Sequence, residues 1–542
     1  MMNKLLLLGF IGLLIASCST RTGHVTGVLN RPIYQPEVPL GMVYVKQGAF
    51  NMGENDQDVP FLHQTRTKTA SVQAFYMDQT EVTNNEYRQF VEHVKDSIAR
   101  EKIYLKWEKG GEASHEFINY SERYFDESLS DPETPFLDYK KEEIVTAEDK
   151  AKFRPTEESN PGGDLTPFFT LNWDRRFSYD EEDFMPILAD MYYPSNERFY
   201  RKREIDTRKL LYRYWWMDLK EASRRGDGLG RPNLIVDGLD GKGHKIDTAH
   251  RQLSTPGKLF SGEPSGQDKD LGFGNKKGQN SAIRGHNNRQ RFIIEEVINI
   301  YPDTLCWVRD FTYAFHDPMT NMYFHHPAYD NYPVVGVTWQ QAKAYSNWRS
   351  WLLNSWLMEE GELFINDFRL PTETEWERAA RGDLDNSQYP WGGPYTRNAY
   401  GCFLLNFKPM RGRYAEDGGF HTVKSFSYQP NGFGLYCMAG NVAEWCETAY
   451  DESVYEFAND INSEYRYDAL DWDPITYKRK VIRGGSWKDI GYYCMTSTRS
   501  YEYQDTAKSY IGFRNVVTHL GRGGDDISRE GSEELINEIE LK

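Results

Sequence analysis

Three stretches of the chain open helices by one device. Thr83-Asn84-Asn85-Glu86, Thr338-Trp339-Gln340-Gln341 and Thr372-Glu373-Thr374-Glu375 each set a threonine three residues ahead of an acid or amide. The hydroxyl accepts from a free backbone N–H, and the later side chain reaches back to the threonine's own N–H. Apolar residues follow on one helical face: Tyr87, Phe90, Val91 and Val94, then Ala342, Tyr345 and Trp348, then Trp376 and Ala380. Pro371 helps to stop a strand before the third cap. The three boxes predict helices and say nothing about catalysis. A long stretch of different texture separates the first helix from the other two.

Ahead of the first helix, residues 41–53 alternate apolar and polar around Gly48, which predicts a hairpin, and 72–77 reads as one strand. The middle, 95–298, begins acidic and aromatic. Within it, 205–220 carries Leu210, Leu211, Tyr214 and Trp215, which predicts a helix. Residues 221–290 are glycine-dense and basic on an otherwise acidic chain. A polar loop of that length is either disordered or an arm that orders on a partner. After Thr518, a glycine-rich hinge leads to a short acidic helix capped by Ser532, marginal on its own.

At the N-terminus, Lys4 and the apolar run 5–15 form a secretion signal too short to span a bilayer. Ile15-Ala16-Ser17-Cys18 fits a bacterial lipoprotein processing site, with Cys18 as the lipidated residue. The expected organisation is a signal peptide over 1–17, a tether over 18–37, one domain split into 38–94 and 299–518, an insertion over 95–298 and a tail over 519–542. Ser19 after the cysteine favours outer-membrane delivery. A net charge of −17 excludes an ordinary nucleic-acid binder. The hydrophobic content of 39% allows a sizeable core. Cys306, Cys402, Cys437, Cys446 and Cys494 form no CxxC pair and read mostly as small buried residues.

Several motifs occur in a fixed order: Gly48-Ala49-Phe50-Asn51-Met52-Gly53, Thr80-Glu81-Val82-Thr83-Asn84, Tyr332-Pro333-Val334-Val335-Gly336-Val337-Thr338-Trp339 and Arg369-Leu370-Pro371-Thr372-Glu373. They continue with Tyr389-Pro390-Trp391-Gly392, Gly440-Asn441-Val442-Ala443-Glu444-Trp445, Arg483-Gly484-Gly485-Ser486-Trp487 and Gly512-Phe513-Arg514. With them the chain resembles the formylglycine-generating-enzyme (sulfatase-modifying-factor) domain. The resemblance implies an α+β fold related to C-type lectins, here with a large insertion.

The resemblance also implies chemistry. Active members carry two cysteines after the RGGSW stretch, and their thiolates hold copper(I), a soft ion that prefers sulfur. Here the first position is Asp489 and the second is Cys494. A carboxylate is a hard donor and cannot form a disulfide, so no copper and no catalytic residue are expected. Structural calcium is implied instead, held by hard oxygen donors. One site would use Asn406 and Asp417 with the carbonyls of Phe407 and Gly419; the alternative for Asn406 and Asp417 is a loop-stabilising hydrogen bond. A second would use Glu444 with the carbonyls of Gly440 and Val442, but Cys437 stands where it needs an oxygen. Other catalytic patterns are missing: His325-His326 are adjacent, and there is no HExxH, GxSxG or P-loop.

A narrower resemblance rests on His326-Pro327-Ala328-Tyr329-Asp330, Ser486-Trp487-Lys488-Asp489-Ile490 and Tyr501-Glu502-Tyr503-Gln504-Asp505. These are similar to the gliding-motility and type IX secretion lipoproteins of the GldK/PorK type, with the GldJ type as the near alternative. That resemblance implies an outer-membrane, periplasm-facing scaffold that self-associates into a ring with a GldN/PorN-type partner. Two rivals are a copper-dependent formylglycine-generating oxidase and a surface-exposed lectin-like binding lipoprotein.

Overall fold

The computed structural model describes residues 38–54, 66–110, 118–120, 169–171, 173, 177–217, 293–310, 317–360, 364–410, 415, 419–469 and 473–520. Cys18 with the rest of 1–37, Asp417, the basic loop 221–290 and the tail beyond Leu520 lie outside them.

Two sheets organise the domain. In the first, β1 (Met42–Val45) and a strand late in the chain flank β4 (Phe75–Asp78), with Met42 opposite Asp78. That β4 is central explains why all four of its residues are buried. Its pleat divides them by face: Phe75 and Met77 enter a core with Phe50, Val72 and Trp376, while Tyr76 packs with Met42 and Phe368. A separate pair joins β2 (Gly48–Met52) to β3 (Lys68–Val72).

Two strand expectations are corrected here. The hairpin over 41–53 does not form, because β1 and β2 pair with different strands. Lys46-Gln47 offers neither Gly nor Asn for the left-handed positions of a tight hairpin turn. The single strand over 72–77 is two strands broken at Gln73-Ala74, where the Gln73 N–H donates to Asn462 Oδ1 at 2.8 Å instead of to a ladder.

Helix α1 (Asn84–Gly110) starts as the first box requires: Thr83 N–H donates to Glu86 at 2.7 Å and Glu86 N–H to the Thr83 hydroxyl at 3.3 Å. It runs on well past residue 94. The short α2 (Met185–Leu188) packs near it. The paired strands β5 (Ile118–Tyr120) and β6 (Phe169–Leu171) belong to the same stretch.

The helix expected over 205–220 is also corrected. A single 3-10 turn is followed by β7 (Leu211–Met217), fully paired with β8 (Ile293–Asn299). The pattern has period two: Tyr214 is buried and Tyr212 and Trp216 partly so, whereas Arg213 and Trp215 are exposed. Aromatics on alternate positions suit a half-buried strand.

Beyond the short helices α3 (Cys306–Asp310) and α4 (Pro318–Met322), α5 (Trp339–Glu360) opens with its own box. Its stripe meets that of α1: Tyr87, Phe90 and Val94 share the largest core cluster with Ala342, Tyr345 and Trp348. Leu210 and Tyr214 join the same cluster, so the β7–β8 ribbon is fastened to the domain core. Lys343 adds to this, sitting 3.0 Å from Asp468 and 4.1 Å over the Trp216 ring.

Helix α6 (Glu373–Arg381) carries the third box, complete in both directions, and all nine of its residues are buried. Its three acids and Arg381 are paired with opposite charges. Glu373 pairs with Arg499 at 2.6 Å, Glu375 with Arg369 at 2.5 Å, and Glu377 with Arg381 at 2.7 Å and Arg483 at 2.6 Å.

The second sheet has the order β11-β10-β9-β12. These are β9 (Ala443–Ala449), β10 (Arg479–Arg483), β11 (Ser500–Tyr503) and β12 (Ile511–Gly512), with α7 (Val454–Phe457) between β9 and β10. Only β12 pairs parallel. The last strand, β13 (Val516–Thr518), returns to β4 and closes the first sheet. The fold is mixed α+β.

Candidate functional site

The site hangs on the end of β10. After Arg483 the chain turns through Gly484 and Gly485, both left-handed (φ 89° and 66°). Neither could carry a side chain. A Cβ at Gly484 would stand 3.1 Å from the Trp376 ring, and one at Gly485 2.8 Å from Cys494 Sγ and 2.7 Å from the Tyr493 carbonyl. The double glycine is thus what brings the following turn against Cys494.

In that turn Asp489 is an internal fastener. Its Oδ2 accepts from the Ser486 hydroxyl at 2.6 Å and from the Ser486 N–H at 3.0 Å, and its own N–H donates to the Ser486 carbonyl at 2.9 Å. The Lys408 N–H ties to its carbonyl at 2.8 Å. Trp487 stacks on Trp307 with the His421 ring edge-on at 4.8 Å.

Cys494 is fully buried among Tyr389, Leu405 and Ala439. Burial, then the Asp489 charge, pushes its thiol well above the usual range, and burial pushes the Asp489 carboxyl up in turn. The structure therefore brings together the two positions singled out in the sequence. It gives them a neutral thiol and a carboxylate with one oxygen already hydrogen-bonded twice. That donor set does not fit copper(I), which needs soft thiolates. All five cysteines from Cys306 onward are free; only Cys402 is exposed.

The expected calcium donors divide. Asn406 Nδ2 donates to the His421 carbonyl at 2.7 Å, and Asn406 Oδ1 lies against Gly419, 2.8 Å from where a Cβ would be. Asn406 and Gly419 are thus neighbours and Phe407 adjoins them, whereas Asp417 lies outside the described residues. A side-chain carbonyl facing a glycine is compatible with a hard cation. In the second set, both Glu444 oxygens are engaged: Arg514 binds them at 2.6 and 2.7 Å and the Trp376 indole donates at 2.7 Å. A cation at Glu444 would have to share it with a buried guanidinium. Gly440 is pressed on the Asn406 carbonyl (2.4 Å from a Cβ there), and the Val442 N–H faces Glu81 at 3.4 Å.

Sequence reasoning does not single out Glu81, yet it is a special group. It is fully buried, and both its oxygens accept from Asn441 Nδ2, at 2.8 and 3.1 Å. Asn441 is held left-handed (φ 66°), with its Oδ1 accepting from the Val423 N–H at 2.9 Å. Burial, then the nearby Glu444, pushes the Glu81 carboxyl up to about 8. Glu81, Asn441 and Arg514 each stand in one of the ordered motifs. The signal is present, but sequence alone does not show that these three motifs converge.

The profile of the sulfatase-modifying factor enzyme 1-like domain matches residues 33–175 and 299–519. The chain belongs to that family. Among related proteins, the formylglycine-generating enzyme of Streptomyces coelicolor is 34% identical over 188 residues, covering 34% of this chain and 52% of that protein. The inactive C-alpha-formylglycine-generating enzyme 2 of Bos taurus is 34% identical over 190 residues, covering 34% and 49%. The chain thus spans about half the length of the curated relatives it matches. Among solved structures, PvdO from Pseudomonas aeruginosa is 23% identical, covering 35% of this chain and 63% of that one, with a TM-score of 0.28. Treponema denticola variable protein 1 is 27% identical, covering 35% and 72%, with a TM-score of 0.25. A sulfatase-modifying-factor-like domain can be non-catalytic, since one relative is named an inactive enzyme.

Proposed function

We propose that this sulfatase-modifying-factor-like domain is non-catalytic and serves as a structural subunit. It is lipid-anchored through Cys18 on the periplasmic face of the outer membrane, in the type IX secretion and gliding machinery. The carrying observation is the pair at the end of β10. Asp489 locks a turn and Cys494 is a buried thiol, so the position that would need two soft donors has one at most. A rigid domain that holds a ribbon and inserted segments can still present surfaces to neighbours. Self-association into a ring requires head-to-tail contacts that close. Calcium at Asn406, Phe407, Asp417 and Gly419 would fasten loops and take no part in a reaction.

The test is extraction of the tagged full chain in mild detergent, followed by mass determination. A discrete, very large assembly containing this chain and a second, GldN/PorN-type protein supports the scaffold. A lone monomer contradicts it.

A further inference from the structure

Residues 193–204 form a closed loop on the described part of the insertion. Its ends are pinned: Tyr192 bridges Ile205, the Tyr193 N–H donates to the Glu204 carbonyl at 3.0 Å, and the Asp206 N–H to the Met191 carbonyl at 2.8 Å. The Arg198 guanidinium ties back to the Tyr193 carbonyl at 2.7 Å, and Arg203 lies 4.0 Å over the Tyr192 ring. Compact loops closed in this way are frequently functional.

The tip is unusual on three counts. Phe199 and Tyr200 are 71% and 82% exposed, and they pack edge-on against each other with centroids 4.4 Å apart. Tyr200 and Arg201 are both left-handed, at φ 48° and 60°, without being glycine. Such a conformation costs about 1–2 kcal/mol per residue, and strain of this kind clusters where a surface is held ready to act. Among the described residues, the exposed Arg201 and Lys202 side chains form no hydrogen bond or ion pair. Two rings beside two unpaired cations match the composition of interaction hot spots, where aromatic residues and arginine dominate.

The geometry points to this 198–203 tip as a docking knob for an acidic surface on a second copy of the chain. The chain is acidic as a whole, with a net charge of −17. Asp180 pairs with Arg203 of this loop at 3.9 Å, and beside it Glu182 and Asp183 are exposed carboxylates, the charge complement of Arg201 and Lys202. The inference deepens the scaffold reading and rests on it only for the expectation that copies meet.

The test is sedimentation velocity of the full chain in mild detergent over a range of concentration and salt. Wild type should self-associate, more weakly as salt rises. F199S/Y200S and R201E/K202E should each weaken that association by at least about tenfold. These positions are exposed, so melting should be unchanged. E182K/D183K should weaken it similarly, and mixing it with R201E/K202E should restore association. Self-association indifferent to both tip variants overturns the inference while leaving a scaffold intact. A wild type that stays monomeric overturns it too, and the extracted assembly mass decides the scaffold separately. Tip variants that lose only binding to phosphatidylglycerol vesicles would reassign the knob to a membrane.

Discussion

At position 489, one carboxylate fastens a turn and adds its charge to the burial of the neighbouring thiol. Asp489 holds Ser486 through two hydrogen bonds, and its charge adds to the burial that keeps Cys494 protonated. Thiolate, not thiol, is the reactive form. Titration of the folded protein with a thiol reagent should therefore modify Cys402 readily and leave Cys306, Cys437, Cys446 and Cys494 unmodified until denaturant is added. Fast labelling of Cys494 would remove the basis for calling the pocket inert.

Glu81 gives a second prediction at this scale. Its folded pKa of about 8 lies above its ordinary 4.5, so between those values the folded state holds a proton that the unfolded state has lost. Stability from this group is thus complete below about 4.5 and falls as pH rises to about 8, by up to about 1.4 kcal/mol per pH unit. Glu81→Gln carries no such charge. Its stability relative to wild type should improve steadily from pH 5 to pH 8 in denaturant titrations. A pH-independent difference would show that Glu81 is ionised throughout.

At the scale of elements, the three threonine boxes and the stripes behind them are fully legible in the sequence, because a cap and its helix are local. Strand pairing is not. Whether 41–53 closes on itself or splits between two sheets depends on Phe75 and Lys68, which lie outside the stretch, opposite Val45 and Met52. The β7 strand reads as a helix in sequence because Leu210-Leu211 and Tyr214-Trp215 also fit a helical face; only its partner β8 fixes the period at two. For the candidate site, the Asp489–Cys494 pair is readable from spacing, whereas the Glu81–Asn441 contact joins residues 360 apart.

Helix α6 makes the sharpest element-level prediction. Glu377 bridges Arg381 and Arg483, both buried; Arg483 also meets Glu373 at 2.9 Å, whereas Arg381 has Glu377 as its acid among the described residues. Glu377→Gln leaves an unbalanced buried cation and should cost about 3–5 kcal/mol in the unfolding midpoint analysis. A loss below about 1 kcal/mol, on the scale of an exposed pair, would mean that the network is solvated. The loop at Asn406 and Gly419 gives another. If calcium fastens it, millimolar calcium should raise the melting temperature, chelator should lower it, and Asn406→Ala should abolish the difference. Identical melting curves would leave the loop fastened by its hydrogen bonds alone.

At the scale of the molecule, the buried polar network and the β7–β8 ribbon serve one end. Lys480, with no exposure, sits 3.6 Å over the Trp339 ring and 3.2 Å from Asp468, which also holds Lys343. Lys343 in turn reaches the ribbon at Trp216. The domain core and the start of the insertion are therefore one piece of packing, as a rigid subunit requires. The proposed absence of catalysis is tested by supplying the chemistry of the formylglycine-generating relatives. The full chain, loaded with copper(I), is mixed under air with a peptide containing CxPxR and an excess of dithiol reductant. The reductant keeps the peptide thiol reduced and supplies the two further electrons that oxygen needs, and the peptide's mass is followed. The expected result is a peptide cysteine unchanged over many hours. Conversion to formylglycine, abolished in Cys494→Ser, would contradict it.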